Sequence, residues 1–569
     1  MANRRLTTVA LASVWTLAAA GPAWAAGSLT IPPSEHIPNV PGRGLLMAYS
    51  GLDGATHVGP PLVATLSKGV TLRFHLKGEP ALELLVPGAH LLRWRAATGD
   101  LLLADVAGDK LPLIVAFASS NLVVGRLPAG SRAVLRGSAS NISLMRNRVG
   151  DRIRFALACS SQGLHAAAQE ASQGLKTSLE TLVENRLVFF AEAPHGSENL
   201  APERARTLAK AFSVMKVNIH APAPPFAVHW TTPARWPIEH QDAWASAFHA
   251  IGLMHLDVSL AKEALTTVYG TATPEGLIPT RSGPGTSAEV AGPPMLARAA
   301  WAVYQHKRIR ERRFLRASYD VVAKQIEWFM RHRRLGGPPP AEKALTFGVP
   351  LYAWTSAKEA GMGSSPRFAG GAEFAAVDLS TYIAAECRML QRMAQALGYG
   401  TSARMWGKRA DVIARAVRKH LWDAEASFFF DRTAPDGEWI RVWSCTGFMP
   451  LALGVADDDQ ADRLLEHLAG DRFHTPAGVA TLGKNETAAN GTGWTGGVWM
   501  PLNYLLVRGL AARGRAKAAR DLAERTLATI TRRYHEAGTL DEFYPAGQGA
   551  RDYFPTAAVF ADLVLRPVP

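Results

Sequence analysis

Short apolar runs separated by turn-forming residues characterise the chain from residue 27 to residue 157. The Val- and Leu-rich stretches 69–76 and 133–136 are examples, and Gly, Pro, Asn and Asp residues separate such stretches. Turn signals recur about every ten residues, a spacing that is typical of antiparallel sandwiches. We therefore predict a β-sandwich-like domain over residues 27–157, a region that contains no recognisable chemical motif.

The apolar positions then recur at a spacing of three and four residues, which indicates helices. Residues 158–202 are predicted to form a helical linker, and residues 203–569 an all-α domain in which Gly or Pro separates most helices. The pattern predicts twelve helices in this domain, near 203–216, 241–254, 258–269, 290–306, 313–332, 375–397, 401–422, 444–454, 457–469, 498–512, 514–534 and 551–565. Twelve helices with short connections fit an (α/α)6 toroid, whereas an α-solenoid would show a sequence repeat of fixed period. The predicted fold class is thus α+β, with a β-sandwich-like domain followed by a toroid.

The first 25 residues have the pattern of a signal peptide. A charged start at Arg4 and Arg5 precedes a largely apolar stretch, and Ala23-Trp24-Ala25 forms an A-x-A cleavage site. We therefore expect the protein to be periplasmic or secreted. No later segment is long and apolar enough to cross a bilayer, so no transmembrane segment is predicted after removal of the signal.

Net charge and cysteine spacing limit the kinds of binding partner and cofactor that we expect. The chain of 569 residues has a formal net charge of +14, but dense basic clusters occur only at 308–313 and 331–334, where solvated helix faces are the expected structure. No nucleic-acid partner is predicted. Cys159, Cys387 and Cys445 lie far apart and match neither a metal-ligand spacing nor a disulfide framework, although one pair could bridge in an oxidising compartment. No metal and no cofactor is predicted.

A turn-rich loop at 358–368 precedes the helix predicted near 375–397. Its sequence, K-E-A-G-M-G-S-S-P-R-F, resembles the E-S-G-M-D-N-S-P-R-F loop of the clan G glycoside hydrolases, which include trehalases, family 63 α-glucosidases and mannosylglycerate hydrolases. The matching residues are Glu359, Gly361, Met362, Ser365, Pro366, Arg367 and Phe368. In that family the Asp of the loop is the general acid. The resemblance places Gly363 at this position, and glycine has no proton to donate.

A second segment resembles the family run in which W-x-x-P-x-R-W-P leads to W-D-S-x-F-H-A. Here Trp230 to Pro237 supplies the first part, so the resemblance implies that Arg235 and Trp236 lie near the substrate. The second part begins at Trp244, which the resemblance also places near the substrate, but Ala245 stands in place of the family's substrate-binding Asp. Asp242 lies three residues earlier, one helical turn away, where it is a candidate substrate contact or a helix N-cap.

Two carboxyl-terminal segments complete the resemblance. G-W-T-G-G-V-W-M-P-L-N-Y-L, residues 493–505, resembles the family's Y-W-R-G-P-V-W-x-P-x-N-Y-L, with Thr495 at the Arg position. It offers Trp494 and Trp499 as stacking faces and Asn503 as a polar contact. L-D-E-F-Y-P-A-G, residues 540–547, resembles E-x-Y-x-P-x-T-G, whose Glu is the general base. The resemblance therefore implies that Glu542 is the general base and that Tyr544 lies close to the sugar.

An inverting hydrolase needs a carboxylic acid for the leaving oxygen and a carboxylate that activates water. Glu542 can supply the carboxylate, and Glu359, Asp378 and Asp242 are candidate replacements for the missing acid. Asp378 and Arg367 are also candidate sugar contacts. The implied function is inverting hydrolysis of an α-linked glucoside, mannoside or related small glycoside. The alternatives are an inactive carbohydrate-binding protein on the same frame, or another toroid activity such as a polysaccharide lyase using residues like Tyr534 and His535.

Overall fold

The computed structural model describes residues 32–56, 63–67, 71–76, 79–86, 92–108, 110–135, 141–150, 152–306, 310–337, 348–545 and 548–569. The predicted signal peptide, residues 1–25, lies outside the described residues.

The amino-terminal part of the chain forms two antiparallel sheets. The five-stranded sheet has the strand order β1-β2-β3-β4-β9 and the six-stranded sheet the order β10-β11-β8-β7-β6-β5. The strands are β1 (Leu46–Met47), β2 (Val63–Ser67), β3 (Thr71–Leu76), β4 (Glu79–Leu85), β5 (Leu92–Ala97), β6 (Leu101–Val106), β7 (Leu113–Ser119), β8 (Leu122–Leu127), β9 (Arg132–Leu135), β10 (Ile142–Val149) and β11 (Arg152–Cys159).

Both faces of the six-stranded sheet are covered. Along β6, Leu102 and Ala104 join a core with Met47 and Leu84 of the other sheet. The alternate position Leu101 packs into a second core with helices α1 (Leu164–Gly174) and α2 (Leu179–Glu192). Successive strand residues point to opposite faces, so this alternation places one core on each side of the sheet. The predicted linker helices therefore cover the outer face of the sandwich.

Twelve further α-helices lie in the described part of the chain from Pro202 to Leu565. They are α3 (Pro202–Val217), α4 (Ala243–Leu256), α5 (Val258–Tyr269), α6 (Leu296–Gln305), α7 (Arg312–His332), α8 (Val377–Leu397), α9 (Gly400–His420), α10 (Met449–Ala452), α11 (Asp458–Ala469), α12 (Met500–Ala512), α13 (Ala516–Ala537) and α14 (Phe554–Leu565). Short strands occur between them: β12 (Ile219–His220), β13 (Trp230–Thr231), β14 (Gln241–Asp242), β15 (Arg281–Gly283), β16 (Thr286–Ser287), β17 (Trp422–Asp423), β18 (Phe428–Phe429), β19 (Asp431–Arg432), β20 (Trp439–Ile440), β21 (His474–Thr475), β22 (Gly478–Val479), β23 (Val498–Trp499), β24 (Asp541–Tyr544) and β25 (Gln548–Arg551).

The even-numbered helices of this set form a closed inner ring. Each of α4, α6, α8, α10 and α12 contacts the next, and α14 contacts α4 again. The inner helix α4 is buried along nearly its whole length, whereas the outer helix α7 buries residues at helical spacing and exposes the others. This difference is expected when one layer is enclosed and the other faces water. The predicted fold class, a β-sandwich-like domain followed by an (α/α)6 toroid, is confirmed.

Helix ends follow the local sequence. The helix predicted near 290–306 begins only at Leu296, because Pro293 and Pro294 disfavour helical geometry before them. Helix α8 ends at Gly398, whose φ of 82° is the left-handed conformation that glycine adopts without a steric penalty.

The amino-terminal segment is bonded directly to the toroid. The Gly44 N–H donates to the Ala537 carbonyl over 3.0 Å, and the Leu46 N–H donates to the Asp552 carboxylate over 3.0 Å. The Lys210 ammonium lies 2.9 Å from the same carboxylate. These bonds hold β1 against the hairpin of β24 and β25.

Candidate active site

A cavity of about 320 Å³ opens where segments that precede several inner helices converge. Its walls come from the chain before or at the start of α4, α6, α8, α12 and α14. The lining residues are Pro233, Pro237, Ile238, His240, Asp242, Trp244, Ala245, Thr280, Arg281, Pro293, Lys358, Gly361, Trp494, Trp499, Glu542 and Tyr553. Helix N-termini carry partial positive charge, so the cavity favours ligands or side chains that are anionic.

Glu542 projects into this cavity from β24. The pairing of β24 with β25 is irregular between Asp541 and Phe543, and such bulges redirect a side chain from its normal position. The Glu542 Oε2 accepts a hydrogen bond from the Ala550 N–H at 2.9 Å. Burial raises the pKa of Glu542, and the negative charge of Asp242 raises it further. The carboxylate is thus held in place and is more basic than an exposed one, as a general base requires.

Asp242 is the second carboxylate of the cavity. It ends β14 and caps α4, because its Oδ1 accepts a hydrogen bond from the Ala245 N–H at 2.8 Å. In the pairing of β14 with β15 it lies opposite Arg281. Burial raises the pKa of Asp242, while the Ala245 N–H and the Arg281 charge act in the opposite direction. Asp242 therefore caps the helix, as one of its two predicted roles requires, and it also lines the cavity.

Basic side chains lie at the same cavity. Arg281 and Lys358 line it and are exposed. Burial lowers the pKa of His240 to about 4, with a further contribution from Arg281, so His240 is neutral at pH 7. The cavity therefore combines two carboxylates with two cations, and it can accept a polar ligand that carries a negative group.

Three tryptophans form one wall of the cavity. The Trp244 and Trp499 ring centroids are 4.6 Å apart, and those of Trp494 and Trp499 are 5.4 Å apart. Trp244 and Trp494 are nearly parallel, with an interplanar angle of 20°. Aromatic faces of this kind stack on the apolar faces of sugar rings. The structure thus brings together five of the predicted site residues, namely Asp242, Trp244, Trp494, Trp499 and Glu542.

The predicted acid loop does not bring a carboxylate into the cavity. Gly363 is exposed, is absent from the cavity lining, and has open space where a Cβ would lie. The Glu359 carboxylate is fully buried, lies 2.8 Å from the Arg333 guanidinium and accepts hydrogen bonds from the Thr355 N–H and hydroxyl. The prediction that Glu359 replaces the acid is therefore not supported, because both of its oxygens hold the loop together.

Asp378 and Arg367 belong to a buried ionic network rather than to the cavity. Arg367 donates two hydrogen bonds to Asp378 and two to Asp431. Asp378 also accepts a hydrogen bond from the Trp354 indole at 3.0 Å. Burial raises the pKa of Asp431 to about 6, although Arg367 opposes the shift. The predicted sugar contacts Arg367 and Asp378 thus organise the start of α8.

Asp378 of this network and the two cavity carboxylates line different spaces, and the same three tryptophans line both. Asp378 and Met362 line a separate space of only about 20 Å³, which has Trp244, Trp494 and Trp499 in common with the larger cavity. A space of this size holds no more than about one water molecule. A proton donor at Asp378 would therefore line this smaller space and not the cavity that Glu542 lines.

Arg235 and Trp236 also lie away from the cavity lining. Arg235 is buried and donates to the Val217 carbonyl at 3.3 Å. Trp236 packs against Leu46 and Ala48 of the amino-terminal segment. Trp236 therefore packs at the junction between the sandwich and the toroid, and Arg235 is bonded to the end of α3 within the toroid.

Asn503 and Tyr544 are framework residues as well. The Asn503 side chain accepts from the Val479 N–H at 2.9 Å and donates to the Trp499 carbonyl at 3.2 Å. The buried Tyr544 hydroxyl accepts from the Asp541 N–H at 3.2 Å. These two residues act on the cavity only through the backbone positions of Trp499 and β24.

Four lining residues with ionisable side chains were not predicted from sequence: Arg281, His240, Lys358 and Tyr553. Lys358 begins the loop that resembles the family's acid loop. Tyr553 lies in the segment 552–557, which departs from the family's F-G-W-S-A run by lacking its Trp. Arg281 follows the P-E-G-L-I-P segment at 274–279 by two residues. The strand pairing of β14 and β15, which places Arg281 opposite Asp242, was not visible in the sequence.

Three further features of the described residues bear on the kind of site. A larger groove of about 650 Å³, lined by the other face of the Gly-rich segment near Thr492, has no carboxylate among its lining residues. Within the described ranges no group of three or more His, Cys, Asp or Glu residues could hold a metal ion. Among the helices of the described chain, none has the length and hydropathy of a bilayer span.

Comparison with known proteins agrees with the fold. Residues 239–556 match the family described as "Mannosylglycerate hydrolase MGH1-like glycoside hydrolase domain". The chain is similar to the family 63 mannosylglycerate hydrolase of Thermus thermophilus in complex with glucose, with 20% identity, 62% of this chain and 99% of that chain covered, and a TM-score of 0.53. It is also similar to the neutral trehalase of Saccharomyces cerevisiae, with 16% identity, 63% and 80% covered, and a TM-score of 0.50. A structure titled "Sialidase" matches 93% of this chain and 57% of its own, with 12% identity and a TM-score of 0.53.

Proposed function

The chain belongs to the mannosylglycerate hydrolase MGH1-like glycoside hydrolase family, and from this premise we propose that it hydrolyses an α-linked glucoside, mannoside or related small glycoside with inversion. Glu542 is the general base in this proposal. The observation that carries it is the position of the Glu542 carboxylate, which faces a cavity walled by three tryptophans at the ends of the inner helices.

The proposed chemistry follows from the residues of the cavity. Glu542 takes a proton from a water molecule, whose oxygen attacks the anomeric carbon from the face opposite the leaving group. Trp244, Trp494 and Trp499 offer stacking faces for the sugar ring. Exposed Arg281 and Lys358 favour a substrate that carries a carboxylate, so glycosides of glycerate are among the first compounds to test.

The test is hydrolysis of a panel of α-glucosides, α-mannosides and glycerate glycosides by the mature protein and by Glu542→Gln. We expect sugar release by the wild type and a loss of about 10²-fold or more in Glu542→Gln, because general base catalysis contributes about that much. Glu466→Gln, at an exposed position of α11, is the matched control and keeps wild-type turnover. Equal rates for Glu542→Gln and Glu466→Gln would contradict the proposal.

A specific observation favours a second candidate, a carbohydrate-binding protein without turnover. The position of the family's general acid is Gly363, and its side of the loop is open. Sugar binding by the wild type without hydrolysis, together with a gain of hydrolysis in Gly363→Asp, would favour this candidate. The added side chain meets no atom within 4 Å of its Cβ, so the substitution is compatible with the fold.

Export to the periplasm or the medium remains part of the proposal. The pattern at residues 1–25 supports it. Cell fractionation combined with amino-terminal sequencing tests it, and we expect a mature chain that begins after Ala25. Recovery of the intact chain in the cytoplasm would contradict export.

A further inference from the structure

We propose that Asp242 is the proton donor to the leaving oxygen and thereby replaces the acid that Gly363 cannot supply. The inference rests on the hydrolytic function proposed above. It assigns to a helix-capping residue of α4 a role that the family resemblance places on the loop before α8.

The positions of the carboxylates support this assignment. Among the described residues, Asp242 and Glu542 are the carboxylates that line the 320 Å³ cavity. Four other acidic side chains near the inner helix ends are paired with arginines: Glu359 with Arg333, Asp378 and Asp431 with Arg367, and Asp541 with Arg533. An adjacent guanidinium favours the ionised form of a carboxylate, and none of these four side chains lines the cavity.

The orientation of Asp242 is fixed by the backbone. Its Oδ1 accepts the Ala245 N–H at the start of α4, which holds the carboxyl group without neutralising it by a salt bridge. Ala245 also lines the cavity, and its methyl group stands where the family has a substrate-binding Asp. The chain therefore lacks a carboxylate at position 245 but has one at Asp242, one turn earlier, and both residues line the same cavity.

The reaction balances with these two groups. The Asp242 carboxyl proton moves to the glycosidic oxygen while the bond from that oxygen to the anomeric carbon breaks. Glu542 removes a proton from the attacking water, whose oxygen forms the new bond to the anomeric carbon. One water is consumed, and the products are a sugar of inverted anomeric configuration and a free alcohol. Asp242 is left ionised and Glu542 protonated, and proton exchange with solvent restores both.

The electrostatic surroundings favour a state in which Asp242 and Glu542 together hold one proton. Each carboxylate is negatively charged when ionised, and the charge of Asp242 raises the pKa of Glu542. Burial raises the pKa of both groups, whereas Arg281 lowers both. The other titratable groups that line the cavity are His240, Lys358 and Tyr553, and the hydroxyl-bearing Thr280 lines it as well. Two interacting carboxylates titrate in two steps, so between those steps the pair carries a single proton.

The experiment compares substrates that differ only in the leaving group. Wild type, Asp242→Asn and Glu542→Gln are assayed on glycosyl fluorides, which leave without protonation, and on alkyl glycosides of the same sugar. Asparagine keeps a side-chain oxygen for the Ala245 N–H, so the helix cap is retained. We expect Asp242→Asn to lose about 10²–10⁴-fold on the alkyl glycosides, to keep nearly the wild-type rate on the fluorides, and to lose the alkaline limb of its pH profile.

The outcomes separate the two proposals. If Asp242→Asn lowers the hydrolysis rate equally on fluorides and alkyl glycosides, Asp242 is a binding residue and the inference is overturned. An unchanged rate on both substrate classes would also overturn it. If Glu542→Gln loses fluoride hydrolysis and Asp242→Asn keeps it, the result supports Glu542 as the base and Asp242 as the acid. A wild type that hydrolyses neither class would refute the proposed function itself. Thermal melting of both variants shows whether a loss of rate reflects unfolding.

Discussion

At the residue scale, the chemistry of this site depends on what surrounds each carboxylate. Glu542 and Asp242 face the cavity, and burial raises both pKa values. Glu359 has the same functional group, but Arg333 and Thr355 occupy its oxygens. The same side-chain chemistry therefore serves as a reactive group in one environment and as a structural link in another.

Gly549 is required for the position of the base. It has a φ of +77°, and a Cβ added there would lie 2.4 Å from the Glu542 Oε2. We predict that Gly549→Ala displaces the Glu542 carboxylate, so that kcat falls more than KM rises. Kinetics on the best substrate of the panel checks this prediction, and Gly514→Ala is the matched control. Gly514 also has a positive φ, but a Cβ added there meets no atom within 4 Å. Equal effects of the two substitutions would contradict it.

Arg281 sets the pH range of the site. Its charge lowers the pKa of both Asp242 and Glu542. We predict that removing this charge in Arg281→Met raises both pKa values. The acidic limb of the kcat/KM profile reports ionisation of the base and the alkaline limb reports loss of the acid's proton, so both limbs move to higher pH. A profile that keeps its limbs, or shifts them to lower pH, would contradict the prediction.

Several site residues could not be placed from the sequence alone. The motifs predicted Arg235, Arg367, Asp378, Asn503 and Tyr544 as sugar contacts, and the structure places all five in framework hydrogen bonds. A motif records which residues occur together, and it does not separate groups that touch a ligand from groups that hold a loop. The tryptophans and Glu542 were predicted to lie at the site, and the structure places them in the lining of one cavity.

At the element scale, the loop before α8 is anchored by one buried ion pair. Glu359 has no exposed side-chain surface, and the Arg333 guanidinium at the end of α7 is 2.8 Å away. Lys358 and Gly361 of the same loop line the cavity. The pair therefore fixes the loop that forms one wall of the site.

We predict that Glu359→Gln lowers the free energy of unfolding by about 3 kcal/mol, because it leaves the Arg333 charge without its partner. Denaturant unfolding measures this loss. Glu466→Gln, which removes one side of the exposed pair with Arg463, costs less than about 1 kcal/mol. The pH–rate profile of Glu359→Gln keeps both limbs, and loss of the alkaline limb would instead identify Glu359 as the acid.

The helices themselves were predictable because their signals are local. Apolar spacing and Gly or Pro punctuation predicted the twelve toroid helices of the described chain, most of them within a few residues of their observed bounds. The short strands between the helices were not predicted. Strands such as β14 and β15 have only two and three residues, and their pairing depends on contacts between distant parts of the chain.

At the scale of the whole molecule, a buried ionic cluster joins the sandwich to the toroid. Lys216 of α3 lies 2.6 Å from Asp100 and 3.0 Å from Asp53, and Arg186 of α2 lies 2.8 Å from Asp53. Burial alone would raise the pKa of Asp100, but the charges of Lys216 and Arg186 outweigh it and lower the pKa. Because this folded-state pKa is depressed, the stability it contributes is present above about pH 4 and is lost as the pH falls further.

We predict that Lys216→Met lowers the free energy of unfolding at pH 7 by about 3–5 kcal/mol, since it leaves a carboxylate buried without one of its cations. The loss becomes smaller towards pH 4, because protonation of Asp100 then removes the unpaired charge. Lys262→Met, in a partly exposed pair with Glu311, is the control and costs less than about 1 kcal/mol. Denaturant unfolding at both pH values checks the prediction. A loss that is as large at pH 4 as at pH 7 would contradict it.

In the proposed function, the ring of helices positions Glu542 so that its carboxylate removes a proton from the water that attacks the anomeric carbon. Proton NMR can identify the first anomer that is released when wild type and Glu542→Gln act on glycosyl fluorides of glucose and mannose. We expect the wild type to release the anomer opposite to that of the substrate, and Glu542→Gln to release almost none. Retention of the anomeric configuration, or hydrolysis by Glu542→Gln at the wild-type rate, would contradict this function for Glu542.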